Sequence, residues 1–184
     1  MKTLNQICVP RQSVFERGRR DEVLDLTNLI EDNIKPREFF DENYLTDGMK
    51  SLFREAFRRF AGTSASGVIK LTQAMGGGKT HCMIALGLLA RYPELRKEVM
   101  GGDYNDEVLG TINVVAFTGR ENPRFGIWGS LAEQLGKKDA FKDCYSPLQA
   151  PGMSEWVNLL KGEPLLMVMF GMKVGHFICE ANLM

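Results

Sequence analysis

The chain has 184 residues, 44% of them hydrophobic and 25% charged, the balance of a globular protein rather than a disordered, fibrous or membrane chain. Lys plus Arg and Asp plus Glu each number 23, so a charged partner such as nucleic acid would have to be drawn by a local patch and not by the overall field. Cys8, Cys82, Cys144 and Cys179 form no C-x-x-C pair, which suggests neither a zinc site nor a disulfide framework and fits a reducing cytoplasm.

From the N-terminus, Lys2, Asn5 and Gln6 break up any apolar stretch of a secretory signal. Asp21 to Ile34 places Val23, Leu26, Ile30 and Ile34 at helical spacing and stops before Pro36, predicting an amphipathic helix. A clearer pattern follows in Met49, Leu52, Phe53, Ala56, Phe57 and Phe60, with Thr46 or Asp47 as N-cap and Gly62 just past the end. The opposite face of that helix carries Lys50, Arg54 and Arg58, with Arg59 beside them. This row could track a phosphate backbone, so DNA is a possible partner. Against that, Glu55 interrupts the row, and residues 1–63 hold eleven basic and eleven acidic side chains, as a solvated face would.

A small-residue connector, Ala61 to Gly67, then gives way to short apolar strands alternating with helices, the pattern of a parallel α/β sheet. The predicted strands are Val68 to Thr72, Ile112 to Phe117 and Leu165 to Phe170; the predicted helices are Lys79 to Arg91, Phe125 to Leu135 and Met153 to Leu160. The longest apolar run, Pro164 to Cys179, is broken by Lys173 and His176 and is shorter than the ~20 residues of a membrane span. The expectation is a soluble, cytoplasmic protein with no membrane partner. Its organisation reads as a mainly helical leader over residues 1–63, a core over 64–170 and a tail over 171–184.

The most informative segment runs Val68-Ile69-Lys70-Leu71-Thr72-Gln73-Ala74-Met75-Gly76-Gly77-Gly78-Lys79-Thr80, from a strand through three glycines into Lys-Thr and an apolar helix. It reads as a phosphate-binding loop. Consecutive glycines permit positive φ and let backbone amides turn inward around phosphate oxygens, and the following helix aims its positive end at the same place. On this reading Gly76, Gly77, Gly78 and Lys79 bind the phosphates of ATP, Thr80 holds Mg²⁺, and His81, next on the helix, completes the nucleotide-binding set. Gln73 occupies the position where the usual G-x-x-x-x-G-K-[ST] pattern has its first glycine. For His81, packing at the helix start is the plainer role and catalysis the sharper one.

Hydrolysis needs a second apolar strand ending in an acid that orients Mg²⁺ and the attacking water. Leu165 to Phe170 is such a strand, but it continues into Gly171-Met172-Lys173, and the next acid is Glu180. Asp143 and Glu163 precede the strand, at its wrong end.

These motifs resemble a family of large bacterial P-loop ATP-binding proteins, many encoded beside DNA adenine methyltransferases in phage-defence gene clusters of the BREX and related kinds. The resemblance rests on Leu71 to His81, where Gln in place of the first glycine is also tolerated, on Phe39-Phe40 with Tyr44 to Met49, on Ile127 to Ala132 through Leu135-Gly136, and on Ala150-Pro151-Gly152 and Trp156 to about Leu166. It implies a partial P-loop NTPase parallel sheet with helices on both faces, preceded by the helical leader, and ATP binding at Gly76 to Thr80. It also implies protein partners in a defence complex. Family members are longer and end the later strand in Asp-Glu-Leu, whereas the tail from Val168 looks like an unrelated ending, as a frame change or truncation would produce. The leading expectation is therefore an ATP-binding module that does not hydrolyse ATP on its own. Two alternatives stand beside it: a complete small ATPase or phosphotransferase taking its acid from elsewhere, such as Glu121, and a non-catalytic fragment that docks protein or DNA.

Overall fold

The computed structural model describes residues 2–10, 12–15, 24–72, 76–102, 104–105, 110–119, 124–146, 148–162 and 164–170, together with the backbone of 175–180. Among them the elements run α1 (Leu4–Ile7), α2 (Leu26–Ile30), α3 (Pro36–Glu42), α4 (Asp47–Phe60), β1 (Val68–Leu71), α5 (Lys79–Arg91), α6 (Pro93–Met100), β2 (Asn113–Thr118), α7 (Gly126–Gln134), α8 (Met153–Leu160), β3 (Leu165–Phe170) and β4 (Gly175–Glu180). Short 3-10 segments lie at Gln12–Phe15 and Lys138–Cys144. The chain is an α/β protein.

The four strands form one sheet in the order β1-β4-β3-β2. β2 and β3 pair in parallel, while β4 pairs antiparallel with both β1 and β3. The wholly parallel sheet predicted from the alternation of strands and helices is thus corrected. The tail, expected to diverge, supplies β4, which sits between β1 and β3 with Ile178 opposite both Val68 and Met167. Because β4 opposes both neighbours, β1, β2 and β3 all point the same way. The loop after β1 and the C-terminal ends of β2 and β3 therefore share one end of the sheet.

Helices cover both faces. Alternation along the strands sends Val114, Ala116, Leu166 and Val168 to one face, where they pack with α5 and with Leu26, Leu29, Phe53 and Phe57 of the N-terminal helices in one continuous core. Val115, Leu165 and Met167 point to the other face, against Leu131 of α7, and Trp156 and Leu160 of α8 pack beside them. At its edge, Phe141 and Leu159 are buried with Trp128 packed on them. β1 is a sheet edge, and Val68 on it is exposed.

Local chemistry accounts for most boundaries. Thr46 Oγ1 accepts the Met49 amide at 3.2 Å and so starts α4. Gly62, at φ +74°, closes it, with amides of Gly62 and Thr63 returning to the carbonyls of Arg59 and Arg58. The predicted helix over Asp21 to Ile34 is shorter: Asp25 caps α2 by accepting the Thr27 amide at 2.8 Å, and Asp21 to Val23 lie outside the described residues. α3 and α6 each begin at a proline, Pro36 and Pro93, followed by an acid in the first turn, Glu38 and Glu94.

The centre of the molecule is α5, in which every residue from Cys82 to Ala90 is buried. Gly87 makes room for its neighbour: a Cβ there would stand 2.6 Å from Leu29 Cδ2, so the Leu29 side chain of α2 lies directly against the helix. Arg91 reinforces the contact, donating from Nη1 to the Leu29 carbonyl at 2.6 Å and pairing with Asp32 at 3.4 Å. No helix among the described residues is long and apolar enough to cross a membrane.

Candidate functional site

The loop between β1 and α5 is where the sequence concentrates its chemistry, and Gly76 to Gly78 form its second half. Gly76 has φ +81° and Gly78 φ +72°, both in the region that favours glycine. A Cβ at either position would meet nothing within 4 Å. Backbone conformation, not crowding, is thus what demands glycine, and open space lies where side chains would stand. The first hydrogen bond of α5 runs from the Cys82 amide to the Gly78 carbonyl at 2.9 Å, so the amides ahead of Cys82 sit at the positive end of the helix, before its ladder begins.

Lys79 and Thr80 occupy the first turn of α5, and both are half-buried. His81 is exposed on the next position, its ring stacked on Phe39 of α3 at 6.3 Å between centroids. That contact sets His81 against the helical layer. Gln73, Ala74 and Met75 lie outside the described residues. A backbone turn of this kind, with an ammonium and a hydroxyl beside it, is suited to holding an oxyanion and a hard cation together.

Beside the loop opens a cavity of roughly 400 Å³. One wall is Gly78 with the α5 face His81, Cys82 and Ala85, at helical spacing, and the other is the link from Asn43 to Thr46 between α3 and α4 together with Gly48, Met49 and Leu52 at the start of α4. Burial pushes the Cys82 thiol up to about 11, which keeps the thiol protonated. The cavity wall was not legible as such in the sequence. The stretch Tyr44 to Met49, singled out there by resemblance, is the part of the chain that forms it.

The acids fall elsewhere. In register, Glu180 stands opposite Leu165, at the end of β3 remote from the loop. Asp143 is exposed in the 3-10 segment, and Glu121 and Glu163 lie outside the described residues. No cluster of three or more His, Cys, Asp or Glu suited to a metal occurs among the described residues. On the basic face of α4, Glu55 pairs with Arg58 at 3.3 Å and takes the Ser64 hydroxyl, while Arg59 donates to the Ser64 carbonyl. Part of the row read as a phosphate track is therefore engaged within the protein.

Residues 18–116, just over half of the chain, match the family described as the DUF499 N-terminal domain. The chain belongs to that family. The match runs from ahead of α2 through the Gly76 to Thr80 turn to Ala116 in β2, so the DUF499 N-terminal domain includes both the helical layer and the loop it adjoins. No curated protein and no solved structure matches the chain. Membership in the DUF499 family leaves the chemistry of the loop to be argued from its residues.

Proposed function

We propose that the chain is a nucleotide-binding module that takes Mg²⁺-ATP in the loop after β1 and does not turn it over on its own. The observation that carries this reading is the pair of glycines at φ +81° and φ +72° leading directly into Lys79 and Thr80 at the start of a buried helix. In it, the amides of Gly76 to Gly78 cradle phosphate oxygens, the Lys79 ammonium meets the β and γ phosphates, and the Thr80 hydroxyl is a ligand for Mg²⁺. Mg²⁺ held by Thr80 would supply positive charge to offset that of the phosphates. The helix end adds its own positive field in the same direction.

The resemblance to P-loop proteins of phage-defence clusters gives this module its context, a larger assembly in which other chains or domains supply what hydrolysis needs. Titration of the chain with Mg²⁺-ATP, wild type against Lys79→Ala, tests the reading. Loss of a charge-assisted hydrogen bond weakens binding by roughly ten- to a hundredfold. Equal binding by the two proteins would show that the loop is not a phosphate cradle.

A further inference from the structure

We propose that the cavity between the α3–α4 link and the first two turns of α5 is a base pocket that selects adenine, with Asn43 Oδ1 accepting the exocyclic amino group. The proposal rests on the nucleotide reading above and assigns a second part of the ligand to a second part of the protein. The cavity, roughly 400 Å³, is bounded by Gly77 and Gly78, so a ligand whose phosphates lie in the loop can reach it without a break.

Its chemistry suits a flat, uncharged ring. Leu45, Leu52, Cys82 and Ala85 line it, and the Cys82 thiol stays neutral through burial. Tyr44, 86% exposed at the rim, is an aromatic face free to stack on a base, a contact that tolerates any base. Discrimination needs a polar group, and Asn43 provides it. Asn43 Nδ2 donates to the Phe39 carbonyl at 2.9 Å. That bond settles which end of the amide is the nitrogen and leaves Oδ1 as an acceptor, with no donor to it among the described residues. Adenine offers an amino donor at its sixth position where guanine offers a carbonyl acceptor, so an oxygen aimed at that edge favours one and repels the other.

Calorimetric titration of the full chain with Mg²⁺ and four ligands, ATP, GTP, purine riboside triphosphate and inorganic tripolyphosphate, tests the assignment. ATP is expected to bind roughly three- to tenfold tighter than purine riboside triphosphate, which lacks only the amino group, and GTP weaker still. Asn43→Ala is expected to abolish the difference between ATP and purine riboside triphosphate, and Tyr44→Ala to weaken ATP while leaving tripolyphosphate unchanged. ATP, GTP and purine riboside triphosphate binding alike would overturn the adenine assignment. Tripolyphosphate binding as tightly as ATP, with both lost in Lys79→Ala, would remove the base pocket and leave the phosphate loop standing. Failure of all four ligands to bind would remove both. The ligand series on the wild-type chain decides even if Asn43→Ala does not fold.

Discussion

The guanidinium of Arg96 lies over the ring of Phe57, 4.9 Å from its centroid. Arg96 is wholly buried. Its Nε donates to the Leu89 carbonyl at 2.6 Å, and its Nη2 donates to Ala90 at 3.0 Å and Gly110 at 2.8 Å. One side chain from α6 thus closes the C-terminal end of α5, fixes the approach to β2 and packs on α4. A cation at the carbonyl end of a helix also offsets that end's negative charge.

Replacing Arg96 should accordingly cost more than any surface change. Arg96→Ala leaves the Leu89, Ala90 and Gly110 carbonyls without these donors and opens a hole beside Phe57, so a loss of about 3 kcal/mol is expected in denaturant unfolding. Arg96→Lys should recover only part of it, because a single ammonium does not reproduce the planar fork. Midpoints within experimental error of wild type for both variants would refute the bracing role.

Gly87→Val tests the contact between α5 and α2. The new Cβ would stand 2.6 Å from Leu29 Cδ2, and Leu29 is itself buried. Overpacking of this kind costs about 1–3 kcal/mol. Combining Gly87→Val with Leu29→Ala should restore part of the loss, a non-additivity that thermal melts of the four proteins in the cycle would measure.

Cys82 gives a pH dependence with a defined sign. Burial raises its thiol from 9.0 to about 11 in the folded chain. The folded state therefore holds a proton that the unfolded state releases as pH climbs past 9.0. The contribution of this group to stability is whole below that pH and falls away between there and about 11. Cys82 should resist alkylation at neutral pH while the exposed Cys8 reacts. Mass spectrometry after iodoacetamide treatment reads this directly, and rapid labelling of Cys82 at neutral pH would contradict the burial.

Steady-state ATP hydrolysis by the purified chain is expected to stay at the level of Lys79→Ala. Among the described residues no acid stands at the end of β3 next to the loop, and Glu180 pairs in register with Leu165 at the other end. Phosphate release clearly above the Lys79→Ala control would point instead to an acid in the segments between, Glu121 among them.

Much of the architecture was legible locally. The bounds of α5, α8 and β3 follow from the sequence pattern, and Thr46, one of the two candidate caps, starts α4. The glycine loop was legible because three glycines before Lys-Thr between an apolar strand and an apolar helix allow few other conformations. α3 and α6 were not read, although both carry a signal: a proline at the first helical position followed by an acid, which a reading of Pro36 as a stop passes over. β4 was not read because Gly175 to Glu180 gains its strand character from the two partners it lies between.

The sequence by itself determined most of the helices and the strands β1 to β3, the apolar face of α4, the apolar character of α5 all round and the conformational demand at Gly76 and Gly78, since each depends on residues within one or two turns of chain. Only the tertiary structure decided that β4 enters antiparallel between β1 and β3, that Arg96 is a buried brace, and that Asn43 and Tyr44 stand beside the loop. Those outcomes depend on which backbone donors and apolar surfaces, far apart in the chain, can be satisfied together in one core. The spacing of residues along a single segment carries no record of that competition.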